Sequence, residues 1–222
     1  MGSPSGPFFL GFIMSFLNIC EEAFSTYKRT IPKENGVSSI KMWLGHDVTN
    51  SVSIKVGGII ESIFQKALGD AYCMDLLNAT KKKGRYFIKG HEIDLCACID
   101  DTLIVREMKT NLNLDSGKKR DMNIREESIV NALKDLGLGD VDAHGVFNPF
   151  FMGYSKPHSA FGTVYGLTWF INTFKDYADL DDLNCESFIQ YGRSDELFNR
   201  LELWRYPKME MEHYDYPSCL YK

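Results

Sequence analysis

His91-Glu92-Ile93-Asp94-Leu95-Cys96-Ala97-Cys98-Ile99, then Asp100-Asp101, then Thr102-Leu103-Ile104-Val105-Arg106-Glu107-Met108-Lys109, is the most informative run in this 222-residue chain. Its first part alternates: Ile93, Leu95, Ala97 and Ile99 fall on one face and Glu92, Asp94, Cys96 and Cys98 on the other, the period of a strand. Asp100 and Asp101 tolerate left-handed backbone and read as a tight turn, and the second part is rich in branched residues that suit a strand. Together they predict an antiparallel hairpin. Glu107 and Lys109, separated by one residue, project from the same face about 6 to 7 Å apart, and the fold-back at the turn returns Asp94 toward that end.

Before the hairpin, Val56, Ile59, Ile60, Ile63, Phe64 and Ala67 lie on one helical stripe that ends near Leu68-Gly69, with Glu61 at its border. After it, a polar stretch from Thr110 to about Asp121 precedes a helix from roughly Asn123 to Leu136, closed by Gly137 and Gly139. Val146-Phe147 and Phe150-Phe151-Met152 read as the next strand, although Pro149 interrupts it. The order strand, helix, strand predicts a crossover, and with it an α/β fold with a central mixed β-sheet flanked by helices. The segment from Ser159 to Tyr177 is apolar nearly all round and reads as a buried or interface helix. A last helix is expected from Ser194 to Trp204, and one near the N-terminus runs to about Tyr27.

Two carboxylates beside one ammonium suit phosphodiester hydrolysis. Asp94 and Glu107 offer hard oxygen ligands to a divalent metal such as Mg2+, whose bound water becomes a nucleophile at neutral pH. Lys109 can orient or deprotonate that water, or stabilise charge on the pentacovalent phosphorus. Glu107-Met108-Lys109 alone equally describes a solvated strand face. The aspartate-led strand, the turn and the apolar strand ending in Glu-x-Lys form a more constrained pattern.

That pattern, His91-Glu92-Ile93-Asp94-Leu95 followed by Glu107-Met108-Lys109-Thr110, resembles the core motif of the PD-(D/E)xK nuclease superfamily, which includes most type II restriction endonucleases. It is also similar to the Glu-Ile-Asp-Leu and Glu-Val-Lys-Thr pattern of small Holliday-junction-resolvase-like proteins. The resemblance covers Val56 to about Thr110, and Ile93 stands where the motif's proline would be. It implies a restriction-endonuclease-like fold with a catalytic core at about 56–155 in a single domain spanning 1–222, metal ligands at Asp94 and Glu107, and a catalytic lysine at Lys109. An acidic residue on the preceding helix commonly joins the metal shell, the place Glu61 holds here. Glu92 is a weaker ligand candidate, and His91 reads as a turn or packing residue.

Asn111, Asn113, Lys118, Lys119 and Arg120 follow the catalytic strand directly; they either grip double-stranded DNA and read its base edges or form a solvated loop. Tyr154-Ser155-Lys156-Pro157-His158 and Tyr191-Gly192-Arg193 carry similar groups in apparent loops. A formal net charge of -5 argues against a surface that is one phosphate-binding field, yet it leaves room for a local basic patch. The six cysteines show neither zinc-ribbon nor disulfide spacing, consistent with a reducing, cytoplasmic setting. The apolar run from Phe8 to Leu17 is too short to span a bilayer and lacks the charged start of a signal peptide, so no membrane association is expected. That run and Phe161 to Phe174 exceed what a minimal nuclease core needs, which suggests a homodimer. The leading expectation is therefore a Mg2+-dependent type II restriction endonuclease. A structure-selective or repair nuclease of the same fold, and a non-catalytic nucleic-acid or protein binding module, are the alternatives.

Overall fold

The computed structural model describes residues 15–25, 39–68, 80–82, 85–88, 90–100, 102–112, 127–134, 140–177, 180 and 182–209. Helices α1 (Phe16–Ser25), α2 (Ser39–Leu44) and α3 (Asn50–Ala67) come first. Helix α3 forms over the apolar stripe seen in the sequence: Val56, Ile60, Ile63, Phe64 and Ala67 are all buried. It stops at Leu68, where the stripe ends.

Strands β1 (Thr80–Lys82), β2 (Arg85–Ile88) and β3 (His91–Ile93) make a three-stranded antiparallel sheet. Strands β4 (Leu95–Ile99) and β5 (Thr102–Met108) form the expected hairpin, in register from Leu95 opposite Arg106 to Ile99 opposite Thr102. Asp100 takes a φ of 46° at the turn, the left-handed backbone its short polar side chain tolerates. After the helix at 127–134 (α4), the chain returns as β6 (Asp140–Asp142) and β7 (Val146–Phe147), both parallel to β5, which is the crossover the sequence predicted. Strands β8 (Ser155–His158) and β9 (Gly162–Tyr165) complete a six-stranded mixed sheet of order β4-β5-β7-β9-β8, with β6 beside β5.

Helices lie against both faces of this sheet. Ala97, Ile104, Met108 and Phe147 point into the main core with α1, α2, α3, α5 (Leu167–Phe174) and α6 (Cys185–Gly192). Cys96, Leu103 and Val105 meet Ile129 and Leu133 of α4 on the other side. Helix α7 (Asp195–Arg200) and a 3-10 turn (Leu203–Arg205) close the described chain.

Five expectations need correction. Ile93 does not share a face with Leu95: it is buried with Cys96 and Leu103, because the strand bends at Asp94 and the alternation slips there. Phe150 to Met152 is not a strand; Pro149 removes a donor, and the Asn148 side chain accepts from the Phe150 N–H at 2.8 Å to form a turn. The helix expected from Ser159 to Tyr177 is confined to Leu167–Phe174. Upstream, Gly162 at φ +64° turns β8 into β9, and Gly166 passes so close to Phe151 and Gly153 that a Cβ would lie 2.2 Å from the Gly153 carbonyl oxygen. The last helix begins with Ser194 as N-cap and carries Asp195 and Glu196 in its first turn as expected, but ends at Arg200; Glu202 then takes a φ of 51°. The two apparent loops are also ordered elements: Ser155–His158 is an edge strand and Tyr191-Gly192 ends α6.

Candidate active site

Asp94 sits where β3 leaves one sheet and β4 enters the other. The bend frees its side chain to take over a backbone partner: the Asp94 Oδ2 accepts from the Met108 N–H at 2.9 Å. One step beyond the last β4–β5 pair, Leu95 with Arg106, stand Asp94 and Glu107, so the hairpin brings the two carboxylates to the same end of the sheet. From α3, the Gln65 Nε2 donates to the Asp94 carbonyl oxygen at 2.6 Å. Glu61 lies one helical turn before Gln65, on the same side of α3.

Asp94 is 7% exposed. Burial first, then the negative charges of Glu107 and Glu61, push its carboxyl up to about 7, against the opposing pull of the Lys109 ammonium and the Met108 N–H. Those causes identify which groups share its electrostatic environment: Glu107 and Lys109 from β5 and the residue just after it, and Glu61 from α3. The Lys109 ammonium donates to Glu107 Oε1, and both side chains are largely shielded from solvent. The Lys109 N–H is tied to the Phe147 carbonyl at 2.9 Å, which extends the β5–β7 pairing by one step and fixes the residue's backbone.

Of the residues expected at the site, the fold places Glu107, Lys109 and Glu61 within electrostatic reach of Asp94. Hard carboxylate oxygens, one of them buried and raised by its neighbours' charge, are a donor set suited to a small divalent cation. The ligands are not drawn together: among the described residues no three His, Cys, Asp or Glu side chains are grouped closely enough to hold a metal ion, and Glu107 is engaged by Lys109. Glu92 belongs to β3, opposite Phe87 in the smaller sheet, and His91 pairs with Ile88 there. Asn111 is exposed just past Lys109. Asn113, Lys118, Lys119 and Arg120 lie outside the described residues.

Two residues the sequence reading passed over frame the site. Gln65 was findable as the residue one turn after Glu61 on the same helix side. Arg106 was not, since an arginine on a strand ordinarily points to water. Here it is 2% exposed, reaches Asp142 Oδ2 at 2.6 Å, and stacks over Tyr165 and Trp169 on the face opposite Glu107.

Comparison with known proteins found no family model, no curated protein and no solved structure that matches this chain.

Proposed function

We infer that this protein is a Mg2+-dependent endonuclease of the PD-(D/E)xK type with a restriction-endonuclease-like fold, hydrolysing DNA phosphodiester bonds at a short specific sequence as a type II restriction endonuclease does. The observation that carries the reading is the buried Asp94 carboxyl, pushed up to about 7 by burial and by Glu107 and Glu61, with Lys109 beside them. A carboxylate cluster of this kind is unfavourable by itself and is relieved by a cation. The order helix, hairpin, helix and parallel strand, with an acidic residue on the helix before the hairpin, supports the same assignment.

Asp94, Glu107 and Glu61 are the carboxylates that would have to draw together, with Glu107 released from Lys109, to hold Mg2+. When bound, the ion supplies an acidified water and a positive charge against the phosphate. The Met108 N–H orients Asp94, and Gln65 braces the backbone that carries it. Lys109 stands beside Glu107, where it could hold a water or a phosphoryl oxygen and donate or accept a proton at its Nζ. Double-stranded DNA is the proposed partner. The homodimer suggested by surplus apolar sequence loses half its basis, because Phe161, Val164, Leu167, Phe170 and Phe174 are buried in the protein's own cores.

Incubation of a sequenced plasmid with protein and Mg2+, followed by end mapping, tests the proposal: discrete fragments that vanish with a chelator are expected. Random nicking replaces the restriction reading with a structure-selective or repair nuclease. Intact plasmid and intact branched DNA together leave only a non-catalytic binding module.

A further inference from the structure

Beside the acidic cluster, on the α4 side of the sheet, lies a groove of about 790 Å³ between α4 and the β8–β9 hairpin. Gly145 lines it, and the next residue, Val146, is the strand partner of Glu107, so the groove begins one strand from the proposed scissile phosphate. Its wall includes Phe161, against which the His158 ring stacks with centroids 4.7 Å apart. Its polar lining includes Glu127 and Asn131, one turn apart on α4, and Thr163 on β9.

The polar lining is mixed: the described residues include the Glu127 carboxylate, the His144 imidazole and the Ser159 hydroxyl but no lysine or arginine, so no fixed positive charge among them holds a phosphate. A flat, neutral ligand with apolar faces and a hydrogen-bonding edge fits instead, and the volume lies in the roughly 300–1,000 Å³ range of sites that enclose a small molecule. A duplex does not fit in such a space; a single unstacked base does. Asn131 can pair bidentately with a base edge, and Glu127 can only accept, which favours an exocyclic amino group.

We propose that this groove takes one adenine, whose amino group and neighbouring ring nitrogen Asn131 can pair bidentately, turned out of the stack next to the bond to be cut. The inference rests on the nuclease reading for the identity of the polymer. Extrusion from a paired duplex costs a few kcal/mol of unstacking, and an already unpaired base avoids that cost. The groove therefore confers a preference for DNA with an unpaired adenine, and supplies base selection from outside the stretch after Lys109.

The test measures binding of the full-length Lys109→Ala protein in Mg2+ to labelled duplexes of randomised sequence. One is fully paired, one carries a single bulged adenosine, one a bulged thymidine and one an abasic bulge. Roughly tenfold tighter binding of the adenosine bulge than of the other three is expected. Adding Asn131→Ala, a change at an exposed position, should bring the adenosine bulge to the level of the paired duplex. Equal binding of all four DNAs, or a preference that survives Asn131→Ala, overturns the proposal. Digestion of the same DNAs by wild-type protein separates the two claims. Base preference without any cutting leaves the groove and removes the nuclease; cutting without base preference does the reverse.

Discussion

At the scale of single residues, Asp94 and Lys109 carry the functional argument. Replacing Lys109 with alanine should lower the cleavage rate by about 10²- to 10⁴-fold, the usual contribution of a positioned acid or base, as read by plasmid nicking in Mg2+. Asp94 makes a prediction about stability without metal. Its carboxyl is raised from the ordinary 3.8 to about 7 in the folded protein, so between those values the folded state holds a proton that the unfolded chain has lost. The associated stability is complete below about pH 4 and declines as pH rises toward 7. Urea titrations in a chelator should show the wild type losing stability from pH 5 to pH 8, and Asp94→Asn losing less and exceeding the wild type at pH 8. Mg2+ should raise the wild-type midpoint at pH 8 and leave that of Asp94→Asn unchanged. A wild-type stability that climbs over this range would refute the account of a buried, crowded carboxyl.

At the scale of elements, the site depends on how closely β7 and β9 approach and on the integrity of α3. Gly145 has a φ of +85°, and a Cβ there would lie 2.4 Å from the Thr163 carbonyl oxygen, a backbone atom that cannot swing aside. Gly145→Ala should destabilise the protein by about 2–4 kcal/mol in urea unfolding, combining backbone strain with a clash. Gly58 offers the contrast: it lies inside α3, is exposed, and a Cβ would meet nothing within 4 Å. Gly58→Ala should therefore stabilise by about 0.5–1 kcal/mol, since alanine loses less backbone freedom in a helix. The stripe of α3 was legible from periodicity because that helix buries one face, and the hairpin from its two strand-forming runs on either side of a turn, although its strands are buried on both faces. The segment around Gly162 and Gly166 misled the same reasoning: continuous apolar sequence does not distinguish a helix buried all round from a hairpin followed by a short helix.

At the scale of the whole molecule, one aromatic cluster joins helices and sheet. Phe64 on α3 lies 5.9 Å from Phe16 on α1, 5.0 Å from Phe147 on β7, 4.9 Å from Phe170 on α5 and 5.8 Å from Phe188 on α6, centroid to centroid. Phe64→Ala should cost about 3–5 kcal/mol, measured by thermal or urea unfolding, because the cavity opens where five elements meet. Helix α3 also carries Glu61 and Gln65, so its packing sets the distance between Glu61 and Asp94. Among the described residues no helix is long and apolar enough to cross a membrane.

The chain alone determined the hairpin, the helix before it and the crossover to a parallel strand, because period and turn chemistry are local properties; spacing made Asp94, Glu107 and Lys109 candidates, and Glu61 entered only through the resemblance. Only the folded molecule could assign the rest. The bend that turns Asp94 onto the Met108 N–H, the reach of Gln65 to the same residue and the burial of Arg106 between two aromatic rings and Asp142 all join positions distant in sequence. Such contacts follow from which elements become neighbours, and one-dimensional patterning carries no term for that.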